Sequence, residues 1–154
     1  SQSAQVADIE IEMELDPDLP TAWVDEDLIR QVIMNVLVNA QHAIGTSGTI
    51  AVRTRLRTDR TGSDTGAEPG PMAEIEISDT GCGIPEEDIQ KIFDPFFTTK
   101  GVGKGTGLGL SVSHGTIEAH GGLIEVESKV GEGTRFSICL PLGGGRKDGQ
   151  EAGA

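Results

Sequence analysis

Residues able to do chemistry crowd into one stretch, Phe93 to Leu110, which reads FDPFFTTKGVGKGTGLGL. Glycine recurs at every second position through Gly103, Gly105, Gly107 and Gly109, and an apolar helical pattern follows at once. Glycine lets a backbone turn sharply and lie close to a ligand. A helix starting there presents unpaired N–H groups and the positive end of its dipole, which suits a phosphate. The charges agree. The chain carries a formal −13, yet Pro95 to Ile117 contains no Asp or Glu and holds Lys100, Lys104 and His114. Such a gap in an acidic chain marks a surface kept clear for an anion. The Walker A pattern is excluded, because Thr98 stands where its first glycine belongs and Gly105 follows Lys104. The dinucleotide fingerprint fails too, since its glycines do not alternate. Alone, the run is also compatible with a flexible linker, so its neighbours decide.

Two other stretches could share a ligand with it. One is a helix from Asp25 to about Ile44, capped by Asp25 and stopped by Gly45. Its apolar face comprises Leu28, Ile29, Val32, Ile33, Val36, Leu37, Ala40, Ala43 and Ile44, with Gln31, Asn35, Asn39 and His42 in a narrow polar stripe beside it. A polar stripe bordering a core face is where a helix lines a cleft. The other is the tight turn Asp79-Thr-Gly-Cys-Gly-Ile-Pro85.

The remaining elements must hold these stretches in place. Asp8 to Leu15 alternates acid and apolar residues, the mark of a half-buried strand. Thr49 to Arg57 is a second strand, with Ile50, Val52 and Leu56 inward and Arg53, Arg55 and Arg57 outward. After a polar surface loop from Thr58 to Pro71, Met72 to Ser78 forms a third, with Glu74 and Glu76 on one side. Acid, base, acid on the outer faces places the arginine strand between the other two. A short helix over Pro85 to Ile92 and another over Gly107 to Ala119 follow; then Leu123 to Ser128 and Thr134 to Leu140 make a hairpin around Lys129 to Gly133. The expected fold is α/β, a two-layer sandwich of about five mixed strands with three helices on one face. The domain spans 8–142, with a disordered linker over 1–7 and a disordered tail over 143–154.

Composition narrows the class. A chain of 154 residues fits one domain. With 25 acids against 12 Lys and Arg, neither nucleic acid nor an anionic membrane is expected as the main partner. No apolar run approaches the roughly 20 residues of a membrane span, and no signal peptide is visible. Cys82 and Cys139 lack framework spacing, which fits a reducing compartment. The absence of an initiating methionine suggests a piece of something longer.

Together the three stretches resemble the ATP-binding catalytic domain of bacterial sensor histidine kinases, within the GHKL superfamily and its Bergerat-type fold. Asn35-Val-Leu-Val-Asn39-Ala is similar to the N box, and Asp79-Thr-Gly81-Cys-Gly83-Ile-Pro to the first glycine box. Ile92-Phe93-Asp-Pro-Phe96-Phe97-Thr-Thr-Lys is similar to the F box, and Gly105-Thr-Gly107-Leu-Gly109-Leu to the second glycine box. The order is the family's, the likeness covers about Ile9 to Leu142, and Phe-Phe-Thr-Thr-Lys resembles the nitrogen-regulatory branch. The resemblance implies ATP and Mg²⁺ as cofactors. Asp79 would accept a hydrogen bond from the adenine amine, with Gly81, Gly83 and Ile84 close to the base. Asn39 would be the Mg²⁺ ligand and, with Lys100, catalytic; Asn35 and His42 would stand beside it. Lys104, Gly105, Thr106, Gly107, Leu108 and Gly109 would meet the phosphates. Phe93, Phe96 and Phe97 would anchor a lid, Phe96 also bordering the nucleotide. His114 and His120 are expected to be structural.

The reaction is then narrowed by one position. In the gyrase B subunit and mismatch-repair branches, a glutamate one turn before the metal-binding Asn activates water. Here that place is Asn35, whose amide is no general base. Transfer of the γ-phosphoryl to a protein acceptor is therefore expected over hydrolysis. The resemblance implies a histidine on a separate dimerisation domain as acceptor, then a response regulator, in a cytoplasmic setting with a parent that can be membrane-anchored. No histidine here is followed by Asp or Glu, so self-phosphorylation is not expected. Two alternatives stay open: a nucleotide-gated interaction module or an anti-sigma-type serine kinase of the same superfamily. An aspartic protease built on Asp64-Thr-Gly and Asp79-Thr-Gly is remote, since Asp64 lies in a polar loop.

Overall fold

The computed structural model describes residues 8–20, 22, 24–57, 71–94 and 109–142. Their elements in chain order are β1 (Asp8–Glu14), α1 (Glu26–Ile44), β2 (Ser47–Arg57), β3 (Met72–Asp79), α2 (Glu86–Ile89), α3 (Gly109–Ala119), β4 (Leu123–Lys129) and β5 (Gly133–Pro141). The strands form one sheet in the order β1-β2-β3-β5-β4. β1 runs parallel to β2, and α1 makes the crossover that a parallel pair requires; the other neighbours are antiparallel. The arginine strand does lie between the two acidic ones. The expected linker, the loop over 58–70, the tail, and Phe96, Phe97, Lys100, Lys104, Gly105, Thr106, Gly107 and Leu108 lie outside the described residues.

Alternation sorts the sheet into two unlike faces. Val52, Ile77, Phe136 and Val126 sit in register across four strands, as do Ile75, Ile138 and Ile124 across three. α1 covers this face over β2, β3 and β5 with Ile29, Val32, Val36 and Ala40, and α3 adds Ile117. Each fully buried Ile or Val contributes about 2 kcal/mol of apolar burial. α1 begins where Asp25 accepts the Leu28 N–H at 3.2 Å. It ends at Gly45, whose φ of 82° is a left-handed conformation suited to glycine.

The opposite face is a charge lattice. Arg53 contacts Glu14 at 2.9 Å and Glu76 at 3.7 Å, and Arg135 joins Glu76 at 3.2 Å and also Glu127. Glu74, with a side chain only 3% exposed, lies between Arg55 and Arg57. Arg57 also reaches Glu125 at 3.2 Å and donates to the buried Cys139 Sγ at 3.3 Å.

Three expectations need correction. β1 is mostly exposed rather than half-buried: α1 lies mainly over β2, β3 and β5, so only Ile9 of this edge strand packs on the core, while Ile11 and Met13, on the same face of the strand, are left uncovered. Leu56 and Leu28 are likewise exposed, each near the end of its element. α2 stops at Ile89 rather than Ile92, because the chain then closes through i to i+3 bonds, Lys91 N–H to Asp88 O and Asp94 N–H to Lys91 O.

Candidate nucleotide site

Asp79 ends β3 on the helix-covered face and is only 8% exposed. Its Oδ1 accepts the Gly81 N–H at 2.8 Å, and the Thr134 N–H also donates to the carboxylate. Burial pushes the carboxyl above the ordinary carboxylate range, and those two backbone donors act the other way. A sunken carboxylate of this kind is an acceptor held in place before any ligand arrives.

The turn after Asp79 is pressed onto the C-terminal end of α1. The Cys82 N–H bonds the Ala43 carbonyl at 3.1 Å, and a Cβ on Gly81 would stand 2.6 Å from the Ala43 carbonyl carbon. Only glycine allows that approach. Gly83, at φ 80°, is fitted as closely from the other side: a Cβ there would meet the Lys129 carbonyl oxygen at 2.3 Å. Thr80 ties the turn to β2, giving its N–H to Thr49 O at 3.1 Å and taking the Thr49 N–H on its hydroxyl at 3.0 Å.

The β4–β5 hairpin closes the other flank, a role that sequence reasoning missed. Gly131 N–H donates to the Cys82 carbonyl at 2.8 Å. Ser128 Oγ accepts the Ile84 N–H at 2.7 Å, donates to Gly133 O at 3.0 Å and lies 2.8 Å from Thr134 Oγ1. A Cβ on Gly133 would stand 2.0 Å from the Asp79 carbonyl oxygen. The only signal in the sequence is Gly131-Glu-Gly133-Thr134, whose local pattern is that of any hairpin loop.

The polar stripe of α1 borders this turn. Asn39 is half-buried four residues before Ala43, and His42 is exposed immediately before it. Asn35 sits one turn earlier and donates from Nδ2 to Gly109 O at 3.2 Å and Ser113 Oγ at 3.0 Å. The end of the glycine run thus meets the stripe, so parts of all three stretches converge on α1. His114 stacks on Phe93 with ring centroids 4.9 Å apart, and His120 accepts the Asp25 N–H at 3.1 Å, binding the end of α3 to the start of α1.

Among the described residues no group of three or more His, Cys, Asp or Glu could hold a metal ion. Among the oxygen donors of the stripe is the neutral carboxamide of Asn39. That suits a hard cation sharing most of its ligands with phosphate and water. No helix of the described residues is long and apolar enough to cross a membrane.

A buried carboxylate and a glycine turn keyed to one helix, with a second helix starting at Gly109 beside it, define an α/β nucleotide-binding domain. Residues 24–144 match the family described as histidine kinase-, DNA gyrase B-, and HSP90-like ATPase. The chain belongs to that family, which bears out the fold and the superfamily expected from sequence. It is 39% identical over 150 residues to the sensor histidine kinase ZraS of Escherichia coli O157:H7, covering 97% of this chain and 30% of that protein. It is 44% identical over 137 residues to the sensor kinase CckA of Brucella abortus, covering 87% of this chain and 14% of that one. The chain therefore spans less than a third of these relatives. Among solved structures, the catalytic domain of histidine kinase ThkA superposes with a TM-score of 0.67 at 34% identity, over 86% of this chain and 80% of that one. Full-length ShkA in complex with AMPPNP superposes with a TM-score of 0.67 at 28% identity, over 86% of this chain and 25% of that one.

Proposed function

We propose that this chain is the catalytic domain of a two-component sensor histidine kinase, binding Mg·ATP and donating the γ-phosphoryl to a histidine on a separate dimerisation domain. The observation that carries the reading is Asp79, a buried carboxylate held by the Gly81 and Thr134 N–H groups beside α1. It accepts the exocyclic amine of adenine, a donor that guanine lacks at that position, while Gly81, Gly83 and Ile84 border the base. Asn39 offers its carboxamide oxygen to Mg²⁺, which supplies charge neutralisation on the phosphates. His42, three positions past Asn39 on the stripe, stands beside the nucleotide. Lys100 and Lys104 add positive charge, and Gly105, Thr106, Gly107, Leu108 and Gly109 give backbone N–H groups to the phosphates. Phe96, with Phe93 and Phe97, anchors the segment that closes over the nucleotide.

Asn35 supports transfer over hydrolysis. Its amide cannot take a proton from water, and its Nδ2 is already bonded to Gly109 and Ser113. The named relatives are sensor kinases, which favours a histidine acceptor, a downstream response regulator and a cytoplasmic setting over an anti-sigma-type or purely gating role. The decisive experiment mixes the chain with a histidine-bearing helical-hairpin fragment and γ-labelled ATP. Label should reach the fragment only with Mg²⁺ present and should be lost in Asn39→Ala. Tight nucleotide binding with no label on any such fragment would refute the kinase assignment.

A further inference from the structure

Asn35 and Ser113 form a contact that the proposed chemistry does not use. The Gly109 carbonyl can only accept, so the Asn35 amide must turn its nitrogen toward α3, and this orientation also delivers an N–H to Ser113 Oγ. The side chain packs flat on the helix start: a Cβ on Gly109 would lie 3.6 Å from Asn35 Cγ, an ordinary van der Waals contact. Ser113 is 0% exposed, so its hydroxyl serves the interior and is closed to any ligand. Asn35 and Asn39 are one turn apart on a helix whose Val36 and Ala40 are locked in the core. Asn35 is therefore fixed relative to Asn39 on one side and to the end of the glycine run on the other.

We propose that Asn35 is a positioning residue, which with Ser113 fastens the first turn of α3 to α1 and so holds Gly109, where the glycine run ends, in register with Asn39. The proposal rests on the Mg·ATP reading above. It assigns to Asn35 a mechanical role in place of a direct ligand contact, and to Ser113 a role that sequence reasoning did not foresee. The phosphates would feel the loss of this fastening; the adenine pocket around Asp79, held by β3, β5 and the Ala43 contact, would not.

The test titrates Mg·ATP and adenosine into wild type, Asn35→Ala, Asn35→Asp, Ser113→Ala and the Asn35→Ala/Ser113→Ala pair, with hydrogen exchange followed at residues 110–113. Each single variant should weaken Mg·ATP by about fivefold to tenfold, the range of one or two net hydrogen bonds. Adenosine affinity should not change, and exchange at the start of α3 should quicken. Asn35→Asp keeps the shape but sets an oxygen against the Gly109 carbonyl, so it should be at least as impaired as the alanine variant. The double variant should be no worse than Asn35→Ala. Wild-type affinity in Ser113→Ala beside a large loss in Asn35→Ala would make Asn35 a direct ligand contact and overturn the proposal. Parallel loss of adenosine and Mg·ATP would mark general damage to the fold and overturn it as well. Failure of the wild type itself to bind either ligand would instead remove the nucleotide reading on which the proposal rests.

Discussion

Gly81→Ala isolates the keying of the Asp79 turn to α1. The added methyl would stand 2.6 Å from the Ala43 carbonyl carbon and 2.7 Å from both its oxygen and its Cβ. Two of those atoms are backbone in the last turn of α1, so the turn rather than the helix must give. Moving the turn strains the Gly81 N–H bond to Asp79 at 2.8 Å and the Cys82 N–H bond to Ala43 at 3.1 Å. Overpacking costs about 1–3 kcal/mol, and a hydrogen bond to a charged group about 1.5–3 kcal/mol. Because the same shift relieves one and breaks the other, the terms do not add, and we expect a loss of about 2–4 kcal/mol. Gly115→Ala is the matched control. A methyl there meets nothing within 4 Å, inside α3, so helix propensity alone should stabilise by about 0.5–1 kcal/mol. Urea unfolding of both variants gives the two signs, and adenosine titration of Gly81→Ala should show at least a tenfold weaker site at about 1.4 kcal/mol per decade. A Gly81→Ala protein as stable as wild type, with unaltered adenosine affinity, would refute the reasoning.

Other perturbations follow from the same geometry. Burial raises the Asp79 pKa, so the folded chain holds this proton to a higher pH than the unfolded chain does. Between the ordinary carboxylate value and that raised value the folded state binds more protons, so stability falls as pH rises; melting curves across the acidic range should show this slope in wild type and not in Asp79→Asn. Arg57→Ala leaves Glu74, with its 3% exposed side chain, facing Arg55 alone and should cost about 1–3 kcal/mol in urea unfolding. Arg30→Ala, whose partners Glu26 and Asp27 are highly exposed, should cost no more than about 0.5 kcal/mol in the same assay. His120→Ala removes the acceptor of the Asp25 N–H and should cost about 1 kcal/mol, readable as faster exchange at the start of α1.

Local pattern carried most of the architecture. The 3.6-residue spacing of Ile29, Val32, Val36 and Ala40 and the caps Asp25 and Gly45 gave α1 to within a residue. The alternating Glu and Arg side chains gave the neighbour order of β1, β2 and β3, because opposite charges meet directly in register, as at Arg53 and Glu76. What local pattern could not show was which helix covers which strand. Alternation in β1 reads as half-buried whether or not α1 covers it, and α1 lies mainly over β2, β3 and β5. The candidate site was legible where its residue types are unusual together, in Asn39, Asp79 and Gly81. It was illegible where ordinary residues act by long-range contact. Ser128 and Ser113 carry no local signature, and their partners Ile84 and Asn35 lie 44 and 78 positions away.

The central claim is that one nucleotide is gripped at its base by Asp79 and at its phosphates through Asn39. A calorimetric titration of ATP and GTP into wild type, Asp79→Asn and Asn39→Ala, with and without Mg²⁺, tests it directly. Wild type should prefer ATP and bind it more tightly with Mg²⁺, Asp79→Asn should lose the preference for adenine, and Asn39→Ala should lose the gain from Mg²⁺. Equal affinity of all three proteins for ATP, with no response to the metal, would contradict the account.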